Sequence, residues 1–102
     1  MILAKVEGCV VATKKHAKMK GSKFLLVRPM VIDSPNAGAF KPGANTLVVV
    51  DSLGAGENEI VLVVQGSSAR LGADSADSPV DAVVVGIVDT VDVSKKILYR
   101  TP

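Results

Sequence analysis

The chain has 102 residues and a mass of 10.5 kDa, enough for one domain. Twelve Lys+Arg against 10 Asp+Glu leave a net charge of +2, which excludes a polyelectrolyte tail, and 48% hydrophobic residues exclude general disorder. With one cysteine, Cys9, and one histidine, His16, neither an internal disulfide nor a Cys-only zinc site can form.

Ile2 to Thr13 reads as a strand. Strict alternation puts Ile2, Ala4, Val6, Gly8, Val10 and Ala12 on one face, and Leu3, Lys5, Glu7, Cys9, Val11 and Thr13 on the other. The charges inside this segment break the apolar run that a signal peptide needs, so the expected compartment is the cytosol. No apolar run reaches the ~18 residues of a membrane helix. Thr13 to Lys23 is a basic loop, and Lys23 to Ile32 a second strand. Pro29 in that strand marks an edge, a bulge or the end of pairing, because it has no N–H to donate.

Asp33 to Asn45 holds two prolines and two glycines and reads as a loop. Thr46 to Asp51 is the third strand, Ser52 to Glu59 a Gly-rich turn, and Ile60 to Gln65 the fourth strand. Gly66 to Leu71 suits one short helical turn with a Ser cap, followed by a loop to Pro79. Val80 to Val93 reads as one long fifth strand, in which Gly86 marks a bulge or a close approach. The tail, 94–102, ends in a short apolar piece, Ile97-Leu98-Tyr99. Short strands at this spacing suggest an all-β small barrel or sandwich, a single domain over 1–93 with a C-terminal tail over 94–102.

Several strands are apolar on both faces, notably Leu47–Val50 and Ile60–Val64. A half-exposed antiparallel strand should alternate, and a small barrel has only one interior. Either a second protein surface covers the outer face, or the loop at 33–45 and the tail do. Asp89 falls on the face of Val85, Ile87, Val91 and Val93, where a carboxylate needs a partner such as Arg70 unless the strand leaves the barrel there.

Catalytic constellations are thin. Gly54-Ala55-Gly56-Glu57 lacks the third glycine and the following helix of a dinucleotide loop, and reads as a tight β-turn. His16 sits among lysines in a loop, and Cys9 reads as a small apolar filler. Asp51, Glu57 and Glu59 bracket a turn and read as solvated carboxylates rather than a catalytic or cation site. Seven basic residues between Lys5 and Arg28 face one acidic residue, Glu7. A basic hairpin on a small barrel is a feature of single-strand nucleic-acid binders, but those carry aromatic platforms, and here only Phe24 is near.

Four motifs in order carry a resemblance. Gly8-Cys9-Val10-Val11-Ala12-Thr13-Lys14 is followed by Gly21 and Lys23-Phe24-Leu25-Leu26-Val27. Asp51-Ser52-Leu53-Gly54-Ala55-Gly56 precedes Glu59, and Gly66-Ser67-Ser68-Ala69-Arg70 comes next. Pro79-Val80-Asp81-Ala82 runs into Gly86-Ile87-Val88-Asp89-Thr90-Val91. Together they resemble the EutN/CcmL family, the vertex proteins of bacterial microcompartment shells. The likeness spans roughly 1–93; the basic 14–20 loop, Glu57-Asn58 and the tail depart from it.

The resemblance implies a five-stranded OB-like β-barrel with one short helical turn that assembles as a cyclic homopentamer. It implies a structural role in the cytoplasmic shell, beside hexameric facet proteins, with no catalysis, cofactor, metal, nucleic acid or membrane. On that frame Gly54, Ala55, Gly56 and Glu57 are expected near the five-fold axis. Ser67, Ala69, Arg70 and Asp89 are expected in subunit contacts, and Lys14, Lys15, Lys18 and Lys20 in an outward basic loop.

Overall fold

The computed structural model describes residues 1–13, 23–32, 40–66 and 81–101. These contain eight strands: β1 (Ile2–Val10), β2 (Lys23–Ile32), β3 (Phe40–Pro42), β4 (Leu47–Asp51), β5 (Ile60–Gln65), β6 (Ala82–Ile87), β7 (Thr90–Val93) and β8 (Lys96–Arg100). Five of them run in the order β1-β5-β6-β4-β2, and a β1–β2 pairing closes the ring. Of the two all-β architectures the strand spacing suggested, a small barrel or a sandwich, the chain forms the barrel. The helical turn expected at Gly66–Leu71 lies, beyond Gly66 itself, outside the described residues.

The β-branched residues do what alternation asks of them. Ala4, Val6, Leu25, Val27, Val49, Val61, Val63, Ala82 and Val84 point inward and form one buried cluster. The branched side chains suit this pleated interior, and burying each contributes roughly 1.5–3 kcal/mol. Their partners on the strands point outward. Across the outside runs a second row, Phe24, Val50, Val83 and Val64, joined by cross-strand pairing.

Two bulges correct the expected alternation. The β1–β2 register shifts between Val6 and Gly8, so Glu7 is an extra residue. Val6 faces Val27 on the inner side, yet two positions on, Gly8 pairs with the outward Leu26. Cys9 therefore follows Ala4 and Val6 onto the inner face, at the barrel's mouth, while Gly8 and Val10 turn outward with Leu26 and Phe24. Glu7 is tied down by Arg28, whose Nε donates to its carboxylate at 3.0 Å. The second shift, between Leu62 and Val63, sets Gly86 opposite Leu62. A Cβ on Gly86 would sit 3.3 Å from Leu62 Cδ1, so both expectations for this glycine, a bulge and a close approach, hold together.

Pro29 also behaves as its missing donor requires. The β2–β4 ladder ends at Val27, and β3 pairs with β2 from Met30 onward. Pro29 lies in the gap between these partners. The short strand β3 falls inside the segment read as a loop; three residues, the last of them Pro42 with Gly43 next, carry too little pattern to announce a strand.

The long fifth strand expected over 80–93 is two strands. After β6 the chain breaks at Val88–Asp89, and β7 pairs with β8 in a separate two-stranded sheet. Ser94 and Lys95 form the two-residue turn, both at positive φ, 50° and 66°. That geometry matches the twist of a hairpin, but each non-glycine residue held there costs about 1–2 kcal/mol. Ser-Lys carries no hairpin signal of the Asn-Gly kind, which is why the segment reads as a tail in the sequence. The arm is fixed at its base by three bonds: Val88 N–H to Ile60 C=O at 2.9 Å, Thr101 N–H to Asp89 C=O at 2.8 Å, and Ile60 N–H to the Tyr99 hydroxyl at 3.2 Å.

The anchor and the turn can be probed separately. Tyr99→Phe should cost about 1 kcal/mol in denaturant unfolding and speed hydrogen exchange at the Ile60 amide; unchanged exchange there would show that the hydroxyl does not hold it. Replacing Ser94-Lys95 by Asn-Gly should stabilise the chain by about 1 kcal/mol, read as a rise in melting temperature.

Candidate functional site: the glycine turn and the outer face

The Gly-rich turn is organised by Asp51, the last residue of β4. Its carboxylate is only 4% exposed and accepts two backbone N–H groups, from Leu53 at 2.8 Å and Ala55 at 2.8 Å. An aspartate that folds its own following backbone back onto itself is a common turn device. Lys23, paired with Asp51 across β2 and β4, places its Nζ 3.7 Å from the same carboxylate and 3.4 Å from the Ala55 carbonyl. Asp51 is thus a structural acid, not the solvated carboxylate expected.

Gly54 lies at φ +84°, a conformation that only glycine adopts cheaply. Ala55 is buried in the core cluster, so it closes the barrel's end rather than lying free beside its neighbours. Gly56 N–H donates to Glu59 Oε1 at 2.6 Å, and Glu59 N–H returns to the Gly56 carbonyl at 3.2 Å. Asn58, at φ 70°, donates its N–H to the Val6 carbonyl, and Val6 N–H donates to Glu59 C=O. These bonds stitch the turn to β1. Gly54, Gly56 and Glu57 stay exposed at its tip. Beneath it a cavity of about 250 Å³ opens at the barrel mouth, lined by residues that include Cys9, Lys23, Ala55 and Glu57.

The chemistry available here is slight. The Asp51 and Glu59 carboxylates are engaged by backbone N–H groups, and Cys9 is a free, exposed thiol. A groove of about 390 Å³ on the barrel wall is lined by Lys5, Glu7, Arg28, Met30, Pro42 and Gly43. In it Arg28 is held by Glu7 and by the Gly43 carbonyl, to which its Nη1 donates at 2.9 Å.

The outer face is the more telling surface. Gly8, Leu26 and Val48 form one cross-strand row on β1, β2 and β4, and Val10, Phe24 and Val50 form the next. Val48 is 50% exposed and Val85, on β6, 38%. The polar residues Lys5 and Arg28, opposite each other, begin the row beyond. A contiguous apolar face of this kind is what the double-sided strand patterns foretold, and monomers seldom leave one uncovered.

Asp89 is exposed at the break between β6 and β7, and does not continue a strand face shared with Val85 and Ile87. Ser67, Ala69 and Arg70, the basic residues Lys14, Lys15, Lys18 and Lys20, and His16 lie outside the described residues. Sequence reasoning missed Asp51 as the organiser of the turn; the signal was present, an Asp directly before Ser-Leu-Gly.

With this geometry in view, comparison with known proteins is specific. The model of a family described as ethanolamine utilisation protein EutN/carboxysome matches residues 1–89. The chain belongs to the EutN/CcmL family. A bacterial microcompartment shell vertex protein, GrpN of Rhodospirillum rubrum, is 46% identical over 92 residues, covering 90% of this chain and 97% of that one. A solved ethanolamine utilization protein, EutN, superposes with a TM-score of 0.89 at 36% identity, with both chains covered in full. The structure of a GrpN pentameric microcompartment shell protein from Rhodospirillum rubrum superposes with a TM-score of 0.77 at 45% identity, over 91% of this chain and 99% of that one. Membership accounts for a site that is turn and surface rather than a catalytic cluster.

The Asp51 assignment carries a measurable outcome. Asp51→Ala leaves two turn N–H groups without their acceptor and should cost about 1–3 kcal/mol, seen as a lower denaturation midpoint. A midpoint equal to that of the parent would mean that the turn holds itself.

Proposed function

We propose that the chain is a structural shell protein whose homopentamer closes the five-fold vertices of a bacterial microcompartment, set among hexameric facet proteins. The observation that carries this reading is the apolar outer face of β1, β2 and β4 on a barrel of EutN/CcmL type. A subunit with such a face needs a neighbour, and a cyclic ring supplies one at every position without leaving a sticky edge. The relatives of this chain are vertex proteins, and one solved relative is pentameric. A hexagonal layer is flat, and five-fold units give it the curvature to close.

In this reading the Gly54–Glu57 turn faces the five-fold axis. Gly54 is accounted for by its own backbone angle, but Gly56 is not: a Cβ there would meet only the flexible Glu59 carboxylate, at 3.3 Å. A glycine with little reason inside its own subunit suits a place where several backbones converge. Ser67, Ala69 and Arg70, with Asp89, belong to the subunit contacts, and the lysines 14, 15, 18 and 20 face outward.

Light scattering tests the assembly. A mass near five times 10.5 kDa is expected, and a stable single-subunit particle overturns the reading. Gly56→Val should hinder ring formation while leaving the barrel's circular dichroism in place; normal rings would remove the turn from the axis. Arg70→Ala should make the ring dissociate at a higher protein concentration, and unchanged dissociation would take Arg70 out of the contacts.

A further inference from the structure

The groove on the barrel wall holds two cations set against each other. Lys5 on β1 and Arg28 on β2 are register partners, and both point outward because the next pair, Val6 and Val27, is buried. Like charges directly opposite on neighbouring strands weaken the pairing. Glu7, the extra residue of the bulge, answers only one of them: its carboxylate accepts the Arg28 Nε–H at 3.0 Å. Lys5 makes no hydrogen bond or ion pair among the described residues. Lys5 and Arg28 against Glu7 leave the groove with a surplus of a single positive charge.

Arg28 is fixed in place as well as charged. Its Nη1 donates to the Gly43 carbonyl at 2.9 Å, so the guanidinium is gripped on two flanks, and its Nη2 group makes no bond among the described residues. A planar fork held in this way meets a carboxylate with little ordering left to lose. The rest of the lining is apolar. Met30 and Pro42 are register partners on β2 and β3. Met30 lies beyond Arg28 on the same side of β2, about 7 Å along the strand. That separation is the length of a short aliphatic acid.

We infer that the groove of Lys5, Arg28, Met30 and Pro42 is a binding site for a short aliphatic carboxylate. Its oxygens lie between Lys5 Nζ and the Arg28 guanidinium, and its carbon chain lies on Met30 and Pro42. The charge count selects this class. A carboxylate carries a single negative charge and neutralises the surplus. A phosphate group carries about −1.5 to −2 at neutral pH and would leave the groove negative beside Glu7. A neutral molecule of the same shape would leave Lys5 and Arg28 repelling each other. The cavity volume of about 390 Å³ falls among those of small-molecule sites, roughly 300–1,000 Å³. The site belongs to the wall of each subunit and does not rest on the ring reading.

The test titrates pentanoate into the full chain and follows the methyl NMR signal of Met30, assigned by its loss in Met30→Leu. A saturable shift with a Kd on the order of 1 mM is expected. Pentanamide, the neutral analogue, should give no saturable shift. Lys5→Gln should weaken pentanoate binding about tenfold. Without ligand the same variant should melt no lower than the parent, because it removes a repulsion. A shift that never saturates, equal binding of pentanamide, or unchanged affinity in Lys5→Gln overturns the site. A lower melting temperature in Lys5→Gln counts against it, since Lys5 would then have a partner already. Inorganic phosphate bound as tightly as pentanoate overturns the choice of a carboxylate. Light scattering reads the ring separately. A pentamer that ignores pentanoate sinks the site alone, and a single-subunit particle that binds it sinks the ring alone.

Discussion

A barrel of five short strands has one interior, and this chain has more apolar strand surface than that interior can hold. The inward residues, from Ala4 to Val84, fill it with small branched side chains. What remains lies outside: Phe24, Val50 and Val64 gather over Val83, which is fully buried, while Leu26 and Val48 stay partly open. Closure removes the sheet's edges, so the surplus cannot be hidden by adding a strand. It is left as a surface, and the surface is what the molecule has to offer.

The glycine turn answers a different need. It must close one end of the barrel, bury Ala55 and still present a small-residue tip. One buried carboxylate does most of this. Asp51 collects the N–H groups of Leu53 and Ala55, and Glu59 collects that of Gly56. Asp51 and Glu59 are therefore engaged by the backbone, while Glu57 stays exposed at the tip. A barrel whose buried turn carboxylate holds its own backbone, and whose surplus apolar residues face outward, is suited to assembly.

Irregularities in the strands shape the outer wall. The bulge at Glu7 turns Gly8 and Val10 outward and Cys9 inward, which enlarges the apolar face on β1 and leaves the thiol at the mouth. The break at Val88–Asp89 separates the last strands from the barrel as a two-stranded sheet of their own. Both departures from regular alternation act on the surface, and neither disturbs the core.

The all-β class, the bounds of β2 and β5, the position of the turn and the surplus of apolar surface were all legible in the order of residues. They follow from local chemistry: branched residues favour strands, Gly and Pro punctuate them, and side chains alternate with a period of two. The motifs, through their resemblance, pointed to the family. Which residues make up the open face was legible only in the folded barrel, because a single bulge reverses every side chain after it and nothing at Glu7 announces one. The division of the last strand and the arm that follows it also belong to the fold, since Ser94 and Lys95 take a turn geometry their side chains do not favour and are held there by pairing across the hairpin. Alternation is a local rule, and register is settled by partners far away in the chain.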